Sequence, residues 1–334
     1  MTPMTLARGM GTLPELVVAC EGTRSVKRLF DRVGVPLAIM AEPERMLPLR
    51  DLVDLFETAA HITGDPLLGL RVGIQMADKF GAWSRYARSA PDLRGGLARG
   101  TRTIGYHQTG TRLELTVEGD VAKYAYHMEL RRPDDGRQHL EHTLPALLST
   151  FRSYAGANWR PLHIEVDYPA DRRLADIEDM LAIPIHADAP AMAVVFDASE
   201  LDLPFNSLHM QGPPVTRFEL NAMVRQRPPT SLAGIVAEIV RTRLLEGQAD
   251  IEGVAERLDT GARSLQRKLD NEGWSYRQIL GDVRLSRARH LLAETHLPIT
   301  EIAFMLGYSD PAHFTRAFRR ADAVSPNAYR RIHG

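Results

Sequence analysis

Cysteine is almost absent from this sequence: Cys20 stands alone among 334 residues. One thiol cannot close a disulfide within the chain, which fits a reducing compartment, and it excludes a zinc site built on several cysteines. Long hydrophobic runs are missing as well. No apolar stretch approaches the ~20 residues of a membrane helix, and Met1–Thr12 lacks the apolar segment of a signal peptide. The expectation is a cytoplasmic protein with no membrane partner. Nor is there an excess of one charge sign. With 41 Lys+Arg against 42 Asp+Glu the formal net charge is -1, so the chain is no generic polycation. The asymmetry that exists favours the C-terminal end, where Thr230–Gly334 holds 15 basic and 13 acidic residues. That permits an anion-binding face there without establishing one.

What is present is ordinary soluble composition, 44% hydrophobic and 25% charged, in a length that suggests about two domains. The clearest punctuation is proline. Pro204, Gly212-Pro213-Pro214 and Pro228-Pro229 fall between Leu203 and Pro229, where each removes a backbone donor and restricts the residue before it. Residues 206–229 therefore read as a linker and the place to look for a hinge, with room for one short helix at Val215–Gln226. Upstream, Val26, Leu29, Phe30 and Val33 keep helical spacing up to Gly34, and Leu49–Ile62 repeats it. Asp65-Pro66 opens a further helix through Leu70. The period then changes. Leu113, Leu115 and Val117 alternate with polar residues, Gly119-Asp120 turns, and Val121–Met128 runs extended, which predicts a hairpin. Gln138–Tyr154 and Leu174–Leu181 read as helices, Leu162–Val166 and Ala193–Phe196 as strands. The expected class is a multidomain α and β protein, with an α+β domain over 15–205 followed by an all-α domain over 230–332.

That all-α domain is expected to hold seven helices: Leu232–Leu245, Ile251–Leu258, Arg263–Glu272, Tyr276–Ala293, Ile299–Leu306, Pro311–Arg319 and Pro326–Ile332. Two stretches within it repeat one design. Ile251–Leu258 and Ile299–Leu306 each carry a small residue, Ala255 or Ala303, where a second helix can approach. Each is followed by a turn containing glycine, Gly261 or Gly307, where positive φ is cheap. Each second helix has an apolar pair at i,i+4, Leu265 with Leu269 and Phe314 with Phe318, under a polar and basic face. This is a tandem helix-turn-helix, whose second helices enter the major groove of DNA. Arginine can bond guanine bidentately and glutamine adenine, while other cations hold phosphates. The intervening helix, Tyr276 to about His296, spans ~30 Å at ~1.5 Å per residue. That approaches the ~34 Å between successive major-groove faces on one side of a duplex.

The run from Ala288 to Arg320, with Val324-Ser-Pro326 and Tyr329-Arg330, resembles the signature of the AraC/XylS family of bacterial regulators, as does Arg263–Leu269. The resemblance covers 230–332. Ala321 and Ala323 depart from it, standing where the family has an aromatic residue and a glycine. By position, the family's base-reading slots fall on Arg263, Gln266 and Arg267, with Lys268 beside them, and on Ala312, Thr315 and Arg316, with His313 and Arg319. Pro311 and Ala312 are poor donors, so the first motif is expected to read bases and the second to make more phosphate and methyl contacts. Upstream, Arg32-Val-Gly-Val35, Ala59-Ala60, Thr63–Pro66, Leu70-Arg71 and Leu201–Phe205 resemble the arabinose-binding-like effector domain of one AraC subgroup. That resemblance implies sensing of a small organic molecule and dimerisation.

Other clusters are weaker. Trp83, Arg85 and Tyr86 form an aromatic-basic group in which arginine either holds a ligand carboxylate or makes a surface ion pair. His107, His127, Tyr124 and Tyr126 flank the hairpin and either line a pocket or fill a sheet face. These seven residues are the candidate effector contacts. His139 and His142 share a helix face, but with no third ligand in sight they read as a solvated face and not as a metal site. Gly95-Gly96 gives no phosphate loop, and Ser153 and Ser199 lack the setting of a nucleophile. The expectation is thus a transcription regulator and not an enzyme, with no cofactor and no metal. Its expected partners are a double-stranded DNA operator, a small organic effector, a second copy of itself and, if it activates, RNA polymerase. The alternative is control by protein–protein contact or self-association without a ligand.

Overall fold

The alternation around Leu113 and Leu115 is where the larger, five-stranded sheet begins. In a computed structural model, which describes residues 2–76, 79–129, 136–206 and 213–334, the chain divides into two compact units. One comprises Pro3–Val33 and Pro48–Pro228, the other Gly34–Leu47 and Pro229–Gly334 together with the first two residues.

In chain order the first unit carries β1 (Met4–Leu6), α1 (Leu13–Glu21) and α2 (Thr23–Val33). After β2 (Met46–Pro48), of which only Pro48 falls in this unit, come α3 (Leu49–Thr63), α4 (Leu68–Met76), α5 (Ala82–Arg88) and α6 (Leu93–Thr103). The hairpin β3 (Thr111–Glu118) and β4 (Val121–Met128) follows, then α7 (Arg137–Ala155), β5 (His163–Glu165), α8 (Arg172–Leu181), β6 (Ile185–His186), β7 (Met192–Asp197) and α9 (Arg217–Arg225). Five strands form one sheet in the order β3-β4-β7-β5-β6. Its pairs are antiparallel except β5 with β6. The register sets Leu113 opposite Tyr126 and Tyr124 opposite Val194. Leu144, Leu148 and Phe151 of α7 and Leu93 and Leu97 of α6 join Tyr124, Val194 and Phe196 in one core.

Two helices of this unit approach closely because one lacks side chains at the contact. A Cβ on Gly69 of α4 would overlap the carbonyl oxygen of Gln138, and one on Gly73 that of His142, both on α7. Backbone cannot swing aside as a side chain can, so these glycines set the spacing of α4 and α7. Helix α6 had not been expected, since Gly95, Gly96 and Gly100 depress helix propensity. Here they make room: a Cβ on Gly96 or Gly100 would press on the hydroxyls of Tyr154 and Tyr124.

The second unit carries α10 (Leu232–Arg243), α11 (Ile251–Glu256), α12 (Ala262–Asn271), α13 (Tyr276–Glu294), α14 (Ile299–Met305), α15 (Pro311–Asp322) and α16 (Pro326–His333). The segment Gly34–Leu47 packs with them. The Leu37 N–H donates to Glu246 Oε1 at 3.3 Å, Thr242 donates its hydroxyl to the Met46 carbonyl at 3.4 Å, and Glu42 pairs with Arg287 at 3.4 Å. A contiguous boundary near residue 205 does not capture this earlier excursion. The expected linker lies partly outside the described residues, which omit 207–212. Within 213–229 the anticipated short helix is α9, opened by a capping box between Thr216 and Glu219. Among the described residues no helix is long and apolar enough to cross a membrane.

Candidate nucleic-acid interface and ligand-binding cluster

The helices α11 with α12, and α14 with α15, build two helix-turn-helix units. In the first, Val254 and Ala255 of α11 and Leu265 and Leu269 of α12 are buried, none more than 1% exposed. In the second, Ile302, Ala303, Leu306, Phe314 and Phe318 pack with Ala288, Leu291 and Leu292 of α13. The apolar pairs at i,i+4 thus face inward, which fixes the outward face of each second helix. Arg263, Arg267 and Lys268 on α12 and Ala312, His313, Arg316 and Arg319 on α15 are exposed, with Arg320 beside them. Gln266 and Thr315 are half-buried and already bonded: Gln266 donates its amide to Asp270 at 2.8 Å, and Thr315 its hydroxyl to the Pro311 carbonyl at 3.0 Å.

The arginines of this unit sort into two groups. Arg243 pairs with Asp250, Arg289 with Asp322 and Arg241 with Glu238. Arg284 donates to the Gly307 carbonyl over the Tyr308 ring, and Arg330 to the Leu297 carbonyl. These are spent on structure. Among the described residues, Arg263, Arg267, Lys268, Arg316, Arg319 and Arg320 lie in no ion pair, so their charges are available to an outside anion. The spacer α13 is 19 residues long, capped by Ser275 and Gln278, and so spans about 28 Å.

The turns differ from expectation in one respect. Gly307 takes positive φ as anticipated, at 72°. In the first motif Gly261 instead has φ of -84° and forms the N-cap of α12, while Asp259 carries the positive φ, at 48°. Aspartate tolerates that region because its short side chain bonds locally. Ala323, the departure from the family's glycine, is also left-handed, with φ 59°.

In the other unit, Trp83 and His107 come together and the remaining effector candidates are engaged elsewhere. Arg85 pairs with Glu219 of α9, and Tyr86 lies 4.5 Å below the Arg99 guanidinium. The Tyr124 hydroxyl donates to the Leu97 carbonyl at 3.1 Å, while that of Tyr126 accepts from the Gln108 amide at 2.7 Å. Burial pushes both phenols up, Tyr126 to about 12. His127 sits on the hairpin 3.3 Å from Glu114.

Trp83 stacks on His107 at 5.5 Å, and the series of rings continues through Phe80 to His142, then to Phe56 and His139. His139 and His142 were expected on a solvated face. Each is only 1% exposed, and that expectation is corrected. The face is buried because α4 and α3 cover it, which the glycines of α4 allow. Five positions on these imidazoles have no hydrogen-bond partner: His107 Nδ1 and both ring nitrogens of His139 and His142. The Trp83 indole N–H is a sixth. Each unpaired buried polar atom costs roughly 1–3 kcal/mol, so such a cluster is unusual in a passive core. Burial holds the imidazoles neutral, lowering His107 to about 3, with Arg8 and His139 adding, and His139 to about 4. His142 is lowered well below its ordinary value by burial and by the other two. Among the described residues no group of three His, Cys, Asp or Glu is arranged to hold a metal ion.

Comparison with known proteins finds two family matches. Residues 24–205 match the family described as the arabinose-binding domain of AraC transcription regulator, N-terminal, and residues 254–332 match a helix-turn-helix domain family. The chain is 29% identical over 323 residues to the ornithine utilization regulator of Pseudomonas aeruginosa, covering 92% of this chain and 91% of that protein. It is 24% identical over 310 residues to the transcriptional regulator VirS of Mycobacterium tuberculosis, covering 91% and 90%. Among solved structures, the transcriptional regulator CdpR from Pseudomonas aeruginosa aligns over 91% of this chain and 97% of that one, with 21% identity and a TM-score of 0.39.

Proposed function

The chain belongs to the AraC family of transcription regulators, and we propose that it binds a DNA operator through α12 and α15 under the control of a small organic effector. Its relatives are regulators and not enzymes. The observation that carries the DNA reading is the sorting of arginines. Arg241, Arg243, Arg284, Arg289 and Arg330 are spent on carboxylates, carbonyls and a tyrosine ring, whereas the cations on the outward faces of α12 and α15, like Arg277 and Arg331, are exposed and in no ion pair among the described residues. Arg263, Gln266 and Arg267 read base edges, Gln266 after releasing Asp270. Lys268, His313, Arg316 and Arg319 hold phosphates, with Ala312 and Thr315 against the groove.

Labour divides between an effector-binding and dimerisation region at 15–205, a linker at 206–229 and the readers at 230–332, with Gly34–Leu47 as a second connection between them. The ligand acts by preferring one pose of the readers. The name of one relative ties it to ornithine use, which supports a small metabolite as effector here. RNA polymerase is the further partner if the protein activates, and the setting is the cytoplasm.

Selection of the full chain on a pool of random duplexes tests the reading. The expected product is a site of two blocks about one helical turn apart, ~10 base pairs, whose affinity falls steeply with salt. A pool without enrichment, or with a single block, rejects it. An operator affinity unmoved by any cell extract that binds the protein rejects effector control and favours regulation by a protein partner or self-association.

A further inference from the structure

The five-stranded sheet has two ends, and they are not alike. At one lies β6, two residues long; at the other lies β3, which runs for eight. A strand at the end of a sheet points every second residue's backbone N–H and C=O away from its neighbour. Among the described residues, the backbone of Thr111–Glu118 bonds to β4 alone. Such an edge is commonly blunted by proline, lysine or a bulge. β3 holds neither residue, and its eight positions pair one to one with those of β4, so it has no bulge. Its far end is open: Thr116, Val117 and Glu118 are exposed, Val117 by 46%. The charges it does carry, Arg112, Glu114 and Glu118, are of both signs, and their spacing selects the strand that fits.

Two copies of one strand pair antiparallel about a two-fold axis, so a register is named by the residue that meets itself. β3 turns Leu113 and Leu115 to the core, with Val117 on the same side. A register centred on a residue keeps that side continuous between the copies, whereas one centred between residues throws the copy's apolar side to the opposite face. Two centred registers bring seven residues of each strand together. One, about Glu114, sets that carboxylate against itself. The other, about Leu115, sets Arg112 opposite Glu118 twice, Glu114 opposite Thr116 and the exposed Val117 opposite Leu113. Like charges directly opposed destabilise a sheet and unlike charges stabilise it, which selects the second. Arg112 already meets Glu114 on its own strand through one guanidinium nitrogen, and its other donors remain for the copy's Glu118. We infer that β3 is the interface between two copies of this chain, joined antiparallel about Leu115 so that their sheets run on as one. The inference rests on the reading that the N-terminal unit dimerises, and it names the surface and the register.

The test measures the oligomeric state of the full-length chain by sedimentation over a dilution series. A dimer is expected. Glu118→Arg opposes two pairs of like charge and should raise the dissociation constant about tenfold. Adding Arg112→Glu exchanges the signs and should bring the constant back. Leu115→Cys, in a chain that also carries Cys20→Ser, sets one thiol beside its twin at the axis, and mild oxidation should then join the copies covalently. Glu118 is exposed beside the hairpin turn, so its variants decide the matter should Leu115→Cys fail to fold. A monomer at every concentration overturns the interface and the dimerisation reading with it. A dimer that Glu118→Arg leaves unchanged and that Leu115→Cys does not cross-link overturns β3 as the interface and leaves dimerisation through another face. A monomer whose β3 amides gain protection from hydrogen exchange only with cell extract gives the edge to a different protein and overturns the self-pairing.

Discussion

On α12 and α15 the long cations stand in solvent above apolar cores, whereas in the N-terminal unit three imidazoles and the Arg88 side chain are turned inward, each 5% exposed or less. The difference separates two uses of polar side chains. A phosphate backbone is met from outside, so its readers keep their charges hydrated until binding and lose little stability by doing so. Imidazoles turned inward are desolvated in the folded state, at a cost in stability.

The sharpest way to break this comparison is acid. The three buried histidines stay neutral when folded and take protons near pH 6.5 when unfolded. The unfolded chain therefore binds more protons below that pH, and stability falls as pH falls towards about 4. Glu141 acts in the opposite sense, because burial raises its carboxyl to about 7 despite Arg173. Three protons against one leave a slope of about 3 kcal/mol per pH unit between pH 6 and 5. Urea melts across that range should show it in the N-terminal unit. A flat profile would mean that the histidines are not buried neutral, and the contrast between the units would go.

The same contrast explains what the sequence made legible. The C-terminal unit was readable because its apolar pairs recur at helical spacing and its charges face out, so periodicity and chemistry agree. The hairpin was readable by its alternation. His139 and His142 were misread because two polar residues on one helix face normally mean solvent, and nothing local announces the partner helix. The signal lay elsewhere, in Gly69 and Gly73, whose spacing of four marks a close helix contact. Gly34–Leu47 was missed for a similar reason: its partners, among them Glu246 and Arg287, lie more than two hundred residues away.

The glycine contact supplies the next effect in size. Gly73→Ala forces a methyl group against the His142 carbonyl, and overpacking against backbone should destabilise the N-terminal unit by about 3 kcal/mol. The melt of the C-terminal unit should hold its place. Equal loss in both units would show that they unfold as one and would blunt the comparison. Smaller still is the inequality between the two readers. Arg267→Ala should relax base preference by about 1–3 kcal/mol at one position. Arg316→Ala, behind Pro311 and Ala312, should weaken all sequences alike. Binding of each variant to the randomised pool measures both, and the reverse order would exchange the roles of α12 and α15.

The smallest effect compares the units on equal terms, since each ends a helix on a left-handed alanine. Ala182 closes α8 with φ 52° and Ala323 closes α15 with φ 59°. A Cβ in that region crowds the following carbonyl, at roughly 1–2 kcal/mol. Glycine removes the crowding but returns part of the gain as chain entropy in the unfolded state, worth about 0.4–1 kcal/mol. Ala182→Gly and Ala323→Gly should therefore each stabilise by about 1 kcal/mol. Each should raise only the transition of its own unit, and neither touches a charge or a buried imidazole. If Ala323→Gly stabilises and Ala182→Gly does not, the strain at the end of α8 is relieved by its surroundings. The left-handed alanine would then be a burden particular to the DNA-reading unit, tolerated at the turn that leads from α15 to α16.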